Sequence, residues 1–196
     1  MFKLVDMFWT FQGEGYYSGS RAFFVRLPFC NLKCTWCDTE FNTSKDIQFD
    51  EFDALALSEP SRFAVITGGE PMMNKQTPHV VSRLKSLGFE VACETNGNFP
   101  IVKGIDFVTV SPKRDAKYMV HPHALLRCHE LKLVVDKDFD FNVARDFQDL
   151  LEGRALLSLS PEFGNLDESF SRIEQFIKEN SAWRVSLQTH KFVKIK

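Results

Sequence analysis

The chain has 196 residues, of which 44% are hydrophobic and 26% charged, and this composition excludes a disordered, collagen-like or coiled-coil protein. The formal net charge of −2 excludes binding to nucleic acid or an anionic membrane through a global basic field. The N-terminal segment lacks the apolar core of a signal peptide, and no apolar run is long enough to span a bilayer. We therefore expect a cytoplasmic protein with no membrane partner, built as one domain over residues 1–196.

Short runs rich in β-branched and aromatic residues alternate with amphipathic helical patterns along the chain. They predict strands at 21–27, 62–67, 89–93, 105–110, 130–135, 155–160 and 184–188. Apolar residues recur at helical spacing over 80–87 and at positions 166, 170, 173 and 177, and a weaker helix is predicted near 139–147. The alternation predicts an α/β fold with a mostly parallel sheet. Because a complete eight-fold barrel needs about 250 residues, we predict an incomplete β/α barrel.

Polar residues follow three successive predicted strands at the points where those strands end. They are Gly68 to Glu70, Glu94 to Gly97, and Ser111 to Lys113. Because the carboxyl ends of parallel strands are where such folds build active sites, the sequence predicts a site at this edge of the sheet.

Three of the five cysteines, Cys30, Cys34 and Cys37, form a C-x3-C-x2-C run. Structural zinc usually takes four ligands in paired C-x2-C or H-x3-H spacings, and the next candidate ligand, His79, lies far along the chain. An iron–sulfur cluster on three cysteines fits better, because it leaves one iron open to a small molecule. The alternative is a zinc-stabilised binding module, which would leave the strand-end pattern unexplained.

The cysteine run, with Trp36 before its last member, resembles the signature of the radical S-adenosylmethionine (SAM) superfamily. The resemblance implies a single radical SAM domain with an incomplete barrel, a [4Fe–4S] cluster on the three cysteines, and SAM chelating the open iron. The segment 67–71, TGGEP, is similar to the superfamily's GGEP motif, although alone it would also read as a common turn. The resemblance therefore implies a group of SAM-binding residues: Trp36, Gly68, Gly69, Glu70 and Ser111.

Three further features concern the substrate. In the segment 11–15, FQGEG, the amide of Gln12 and the carboxylate of Glu14 suit the donor–acceptor edge of a guanine- or pterin-like ring, unless the segment is a plain glycine-rich turn. Arg26 lies within a predicted strand and needs a partner, either a substrate carboxylate or an internal Asp or Glu. Asp38 and Thr39 follow the last cluster cysteine, where they could bind Mg²⁺ or simply form a turn or helix cap.

Taken together with ETNG at 94–97 and LQTHK at 187–191, these motifs are similar to the 7-carboxy-7-deazaguanine synthase (QueE) family from about residue 9 to residue 191. The resemblance implies conversion of 6-carboxy-5,6,7,8-tetrahydropterin to 7-carboxy-7-deazaguanine with loss of ammonia. It also implies a homodimer, a flavodoxin- or ferredoxin-type electron donor, and Mg²⁺ on Thr39 with Asp38 as neighbour. The implied substrate residues are Gln12, Glu14, Arg26, Thr67, Glu94 and, from the last strand, Gln188 and His190.

A glycyl-radical-enzyme activating enzyme is the alternative within the same superfamily. It would share the cysteine run, GGEP and ETNG, but it needs an open groove for a partner protein. FQGEG, Arg26 and LQTHK argue against it, because an activating enzyme has no pterin to recognise.

Overall fold

An eight-stranded sheet organises the fold, and the computed structural model describes residues 1–37, 39–40 and 43–193. The strands are β1 (Phe2–Leu4), β2 (Asp6–Phe11), β3 (Arg21–Leu27), β4 (Lys45–Ile47), β5 (Phe63–Gly68), β6 (Glu90–Thr95), β7 (Phe107–Val110), β8 (Glu130–Val135), β9 (Leu156–Pro161) and β10 (Trp183–Val185). The helices are α1 (Phe49–Ala56), α2 (Thr77–Ser86), α3 (Pro122–Leu126), α4 (Phe141–Leu151), α5 (Leu166–Glu179) and α6 (Thr189–Val193). Short 3-10 turns occupy Pro71–Met73, Arg114–Ala116 and Phe163–Asn165.

The strand order of the large sheet is β10-β9-β8-β7-β6-β5-β3-β2, and only the β2–β3 pair is antiparallel. Strands β1 and β4 form a separate antiparallel pair. Within the described residues no ladder joins β10 to β2, so the sheet is an open barrel. The predicted α/β fold with a mostly parallel, incomplete barrel is confirmed. No helix in the described part of the chain has the length and apolar character needed to cross a membrane.

The two faces of the sheet have different neighbours, because successive residues of a strand point to opposite sides. Phe23 belongs to the large core between sheet and helices, whereas Phe24 belongs to a small cluster with Val65 and Ala92 on the other face. Two residues further along those three strands, the same inner face carries polar side chains. They are Arg26 on β3, Thr67 on β5 and Glu94 on β6.

The structure corrects several boundaries of the predicted elements. The last strand ends at Val185, so Gln188 lies in a loop and His190 in α6. Helix α5 turns Ser169, Ile173 and Phe176 inward and leaves Phe170 40% exposed. The predicted apolar face is therefore confirmed at Ile173 and Ile177, which pack in or against the core, and wrong at Phe170. Strands β1, β2 and β4 and helices α1, α3 and α6 were not predicted. Most of these are too short to show a period, and β2 packs Met7 and Phe8 on opposite faces, which hides its alternation.

Candidate active site

A cavity of about 290 Å³ opens at the carboxyl edge of the sheet. It is lined by residues from the loop after β3, from the ends of β5 and β6, from the loop after β7 and from β8. The lining includes Cys30, Cys34, Trp36, Cys37, Thr39, Thr67, Gly68, Gly69, Glu70, Glu94, Ser111, Lys113, Lys132 and Gln188. The site predicted from the strand ends is therefore brought together around one cavity.

Backbone hydrogen bonds fasten the glycine turn after β5 to the chain that leads into the cysteine loop. Gly69 N donates to Leu27 O at 3.0 Å, and Glu70 N donates to Phe29 O at 2.7 Å. A Cβ on Gly69 would lie less than 3.0 Å from backbone atoms of Phe29 and Cys30. Only glycine allows this approach, which places the GGEP turn directly beside the first cluster cysteine.

Asparagine side chains tie the cysteine loop to the end of β6. Asn96 Nδ2 donates to Asn31 Oδ1 at 2.9 Å, and Asn31 Nδ2 donates to Asn98 Oδ1 at the same distance. Sequence reasoning gave Asn31 no role, because its partners lie more than sixty residues away. The sequence signal consists of Asn31 inside the cysteine run, Asn96 within ETNG and Asn98 just after it.

Glu70 is 1% exposed, and its carboxylate accepts three hydrogen bonds from the chain. Met72 N, Thr95 Oγ1 and Asn96 N donate to it at 2.8, 2.6 and 2.7 Å. Burial raises the pKa of this carboxyl in spite of those donors. Glu70 thus caps the Pro71–Met73 turn and holds the end of β6, in addition to lining the cavity.

The three cysteines of the loop supply the soft ligands that an iron–sulfur cluster takes, and all three line the same cavity. Cys37 is exposed, while Cys30 and Cys34 are half-buried. Burial raises the pKa of Cys30, and it raises the pKa of Cys34 to about 11. The donor set fits the cluster, and its thiols must lose their protons on binding. No group of three potential metal ligands is preassembled among the described residues.

Lys113 is a cation of this cavity that had no role in the predictions. Its Nζ donates to Ser111 Oγ at 2.6 Å and lies 4.9 Å from the centre of the Trp36 ring. Burial lowers the pKa of Lys113 to about 8, and the neighbouring cation of Lys132 acts in the same direction. The contact joins Ser111 and Trp36, both predicted to touch SAM, through one amine.

A second cavity of about 290 Å³ adjoins the first and shares the side chains of Glu14, Thr39, Thr67 and Glu94 with it. Its own lining adds three of the residues predicted to bind substrate, together with aromatic rings. These are Gln12, Arg26 and His190, with Phe8, Phe11 and Phe24. Every predicted substrate residue thus lines one of two adjoining cavities.

Arg26 points into the second cavity from β3. Its Nη1 donates to Thr39 Oγ1 at 3.2 Å, and its guanidinium lies 5.4 Å from the centre of the Phe8 ring. Among the described residues no carboxylate forms an ion pair with it. Both partners that the sequence left open, a substrate carboxylate and an internal Asp or Glu, stay open, because Asp38 beside Thr39 lies outside the described residues.

Charged and amide side chains in the wall between the two cavities form a hydrogen-bonded network, which we call the floor network. The buried Lys132 ammonium contacts the Glu14 carboxylate and lies 3.9 Å from Glu94 Oε2. Gln12 Nε2 donates to Glu94 Oε1, and Gln188 Nε2 donates to Glu14 Oε1, each at 2.8 Å. Lys132 was missed from the sequence, although a lysine inside the apolar strand 130–135 is a signal that a buried partner exists.

The segment after β10 closes the second cavity by docking on the FQGEG loop. Thr189 N and Oγ1 donate to Gly13 O at 2.9 and 3.0 Å. Gly13 packs so closely against the imidazole of His190 that a Cβ there would overlap the ring. Gln188 and His190 therefore line the two cavities from a loop and a short helix, rather than from the last strand. Asp38, the other proposed Mg²⁺ neighbour, lies outside the described residues.

Comparisons with known proteins match this geometry. The Radical SAM superfamily model matches residues 24–112. A 7-carboxy-7-deazaguanine synthase of Flavobacterium psychrophilum is 31% identical over 198 residues, covering 100% of this chain and 93% of that protein. One from Bacteroides thetaiotaomicron is 33% identical and covers both chains completely, at 100% each. The chain belongs to the 7-carboxy-7-deazaguanine synthase family.

A solved relative agrees with the sequence comparison. The crystal structure of QueE from Escherichia coli superposes with a TM-score of 0.78 at 28% identity, covering 96% of this chain and 94% of that one. Membership of the 7-carboxy-7-deazaguanine synthase family confirms the radical SAM prediction, and with it the [4Fe–4S] cluster and SAM as cofactors. The activating-enzyme and zinc-module alternatives are not supported, because the synthase relatives match the whole chain rather than the shared cluster motif alone.

Proposed function

We propose that this chain converts 6-carboxy-5,6,7,8-tetrahydropterin to 7-carboxy-7-deazaguanine with release of ammonia. The observation that carries the proposal is the shared wall between the two cavities. A cysteine-lined cavity with the GGEP turn adjoins a cavity lined by the Arg26 guanidinium and two carboxylates. A radical generated in the first cavity would need to travel only across that wall to reach a substrate held in the second.

The proposed cofactor site uses the cysteines and the strand-end loops. Cys30, Cys34 and Cys37 would hold the cluster, which supplies one electron to cleave SAM into methionine and a 5′-deoxyadenosyl radical. Glycine backbone at the GGEP turn allows close approach of a ligand, and a buried carboxylate suits a cationic amine. The proposed SAM-binding residues are Trp36, Gly68, Gly69, Glu70 and Ser111.

The proposed substrate site matches the chemistry of a carboxylated pterin. Arg26 would hold the substrate carboxylate, since its guanidinium lines the second cavity and a guanidinium can bind a carboxylate through two hydrogen bonds. The carboxylates of Glu14 and Glu94 would accept hydrogen bonds from the ring N–H groups. The remaining proposed contacts come from Gln12, Thr67, Gln188 and His190, with Thr39 as a ligand of Mg²⁺. Hydrogen would be removed from C6 of the pterin and returned after the ring contracts.

The proposal is tested by one anaerobic reaction of the reconstituted, reduced holoenzyme with SAM, Mg²⁺ and the carboxylated tetrahydropterin, followed by mass spectrometry. We expect a product lighter than the pterin by one ammonia. Cleavage of SAM to 5′-deoxyadenosine without any pterin product would refute the substrate assignment and leave the radical chemistry intact.

Two pairs of variants sharpen this experiment. Cys34→Ala should abolish SAM cleavage, whereas Cys128→Ala makes the same change at a core cysteine outside the cavities and should retain it. Arg26→Gln should raise KM for the pterin by about tenfold or more. The exposed Arg145→Gln is its matched control and should leave KM unchanged.

The proposal also includes Mg²⁺, a homodimer and a flavodoxin- or ferredoxin-type electron donor. Support for Mg²⁺ comes from the Thr39 hydroxyl, which lines both cavities beside two carboxylates. Support for a protein donor comes from the exposure of Cys37, which brings the cysteine loop to the surface. Activity with and without Mg²⁺, light scattering of the holoenzyme, and reduction by each donor type would test the three parts separately.

A further inference from the structure

The floor network places one ammonium between two carboxylates. Lys132 is 5% exposed and emerges from β8, Glu14 comes from the FQGEG loop, and Glu94 comes from the end of β6. The ammonium contacts Glu14 Oε2 and is 3.9 Å from Glu94 Oε2. Three separate segments of the chain thus meet at a single cation.

Each carboxylate in this network has one oxygen toward Lys132 and the other toward a glutamine amide. Glu14 Oε1 accepts from Gln188 Nε2, and Glu94 Oε1 accepts from Gln12 Nε2. Such a carboxylate can accept further hydrogen bonds on its remaining lone pairs, as long as it stays ionised. Both carboxylates line both cavities, so those lone pairs are within reach of a ligand.

Other charged groups face the network from neighbouring elements. Glu130 lies on β8 two residues before Lys132, and its charge acts on that ammonium. Lys113 faces both Glu14 and Glu94 from the loop after β7, and His190 faces Glu14 from α6. Burial alone would favour neutral forms, but the carboxylates hold the pKa of Lys132 above its ordinary range, and Lys132 holds the pKa of Glu14 below its ordinary range.

We propose that Lys132 is a positioning residue that keeps Glu14 and Glu94 ionised side by side as paired acceptors for the N–H groups of the substrate's heterocycle. The inference rests on the proposed function and deepens it. Two carboxylates confined to one cavity repel each other, and loss of the cation nearest to the pair favours uptake of a proton by one of them. A protonated carboxyl loses an acceptor, so a ring edge rich in N–H donors is bound less tightly.

This role predicts a pH signature rather than a simple loss of activity. In Lys132→Met, the carboxyl pair should hold a proton to higher pH than in the wild type, so binding of the pterin should weaken as the pH falls and should release that proton. The wild type retains the contacts of Lys132 and should show no such dependence. His190 is present in both proteins, so its contribution cancels in the comparison.

The experiment is anaerobic calorimetric titration of the clustered, SAM-free holoenzyme with the carboxylated tetrahydropterin, in buffers of different ionisation enthalpy. Between about pH 8 and pH 6.5 we expect the Kd of Lys132→Met to rise about tenfold with proton release, and that of wild type to change less than about twofold. Lys132→Arg should restore the flat pH profile even where its affinity is lower. The surface variant Lys178→Met, which removes an exposed lysine of α5, should behave as wild type.

Several outcomes would overturn the inference. A flat pH profile for Lys132→Met would show that the cation does not control the carboxylates. A tenfold weakening of pterin binding by the wild type itself on acidification, with proton release, would also show that Lys132 does not control the carboxylates. This measurement needs no variant, so it tests the inference even if Lys132→Met fails to fold. Failure of the proposed function is distinguishable, because then the wild type binds no pterin at any pH while SAM cleavage continues.

Discussion

Replacing Gly69 by alanine tests how the GGEP turn supports the cysteine loop. The added Cβ would lie within 3.0 Å of backbone atoms of Phe29 and Cys30, and a backbone cannot turn aside as a flexible side chain can. Overpacking of this kind costs about 1–3 kcal/mol. Separation of the two segments also weakens the 2.7 Å hydrogen bond from Glu70 N to Phe29 O, a loss of about 1 kcal/mol. We expect Gly69→Ala to lower the free energy of unfolding by about 3 kcal/mol.

The assay combines thermal unfolding of the variant with its iron content after reconstitution. For a chain of this length, a loss of about 3 kcal/mol corresponds to a fall in Tm of roughly 10 °C. Cluster occupancy should fall as well, because the displaced segment carries Cys30. Gly164→Ala is the matched control, since neither glycine has positive φ and a Cβ added at Gly164 would meet only the flexible side chain of Glu162. A Gly69→Ala variant no less stable than Gly164→Ala, with full iron content, would refute the steric argument.

Three further predictions concern buried polar contacts. Glu130 is fully buried and accepts hydrogen bonds from Tyr16 N and Ser158 Oγ, so Glu130→Ala should cost about 3 kcal/mol in urea unfolding, and a loss below about 1 kcal/mol would contradict this. Removal of the Asn96 side chain should speed loss of iron to a chelator, because it breaks the hydrogen bond that holds Asn31 of the cysteine loop. An unchanged rate would show that this bond does not stabilise the cluster site. The pKa of Glu14 is held below 4.5, so its contribution to stability is present above about pH 4.5 and is lost at lower pH. The difference in stability between wild type and Glu14→Gln should therefore shrink on acidification, and a constant difference would argue against the ion pair.

The fold was largely predictable because its signals are local. Strands β3 and β8 were predicted at their observed bounds, since their hydrophobic runs are bounded by polar residues or, after β3, by a proline. The polar residues after β5, β6 and β7 converge because parallel strands end at the same edge of a sheet. The antiparallel strand β2 was missed, and with it the way the FQGEG loop enters the inner face of the barrel.

The amino-acid sequence by itself determined the class of chemistry in this protein. The spacing of Cys30, Cys34 and Cys37, the glycines of the GGEP turn and the polar strand ends are short-range features, and each has its physical reason within a few residues. They were sufficient to predict an iron–sulfur cluster and an incomplete barrel, and their resemblance to the radical SAM superfamily implied the SAM site.

Only the tertiary structure decided which side chains meet in the cavities. Lys132 and Glu14 are 118 residues apart in the chain, and Thr189 and Gly13 are 176 apart. No periodicity links positions at such distances, because their contact depends on strand order and on how the last segment docks. The charge arrangement between the two cavities exists only in the folded barrel, where the buried Lys132 ammonium contacts Glu14 and lies 3.9 Å from Glu94.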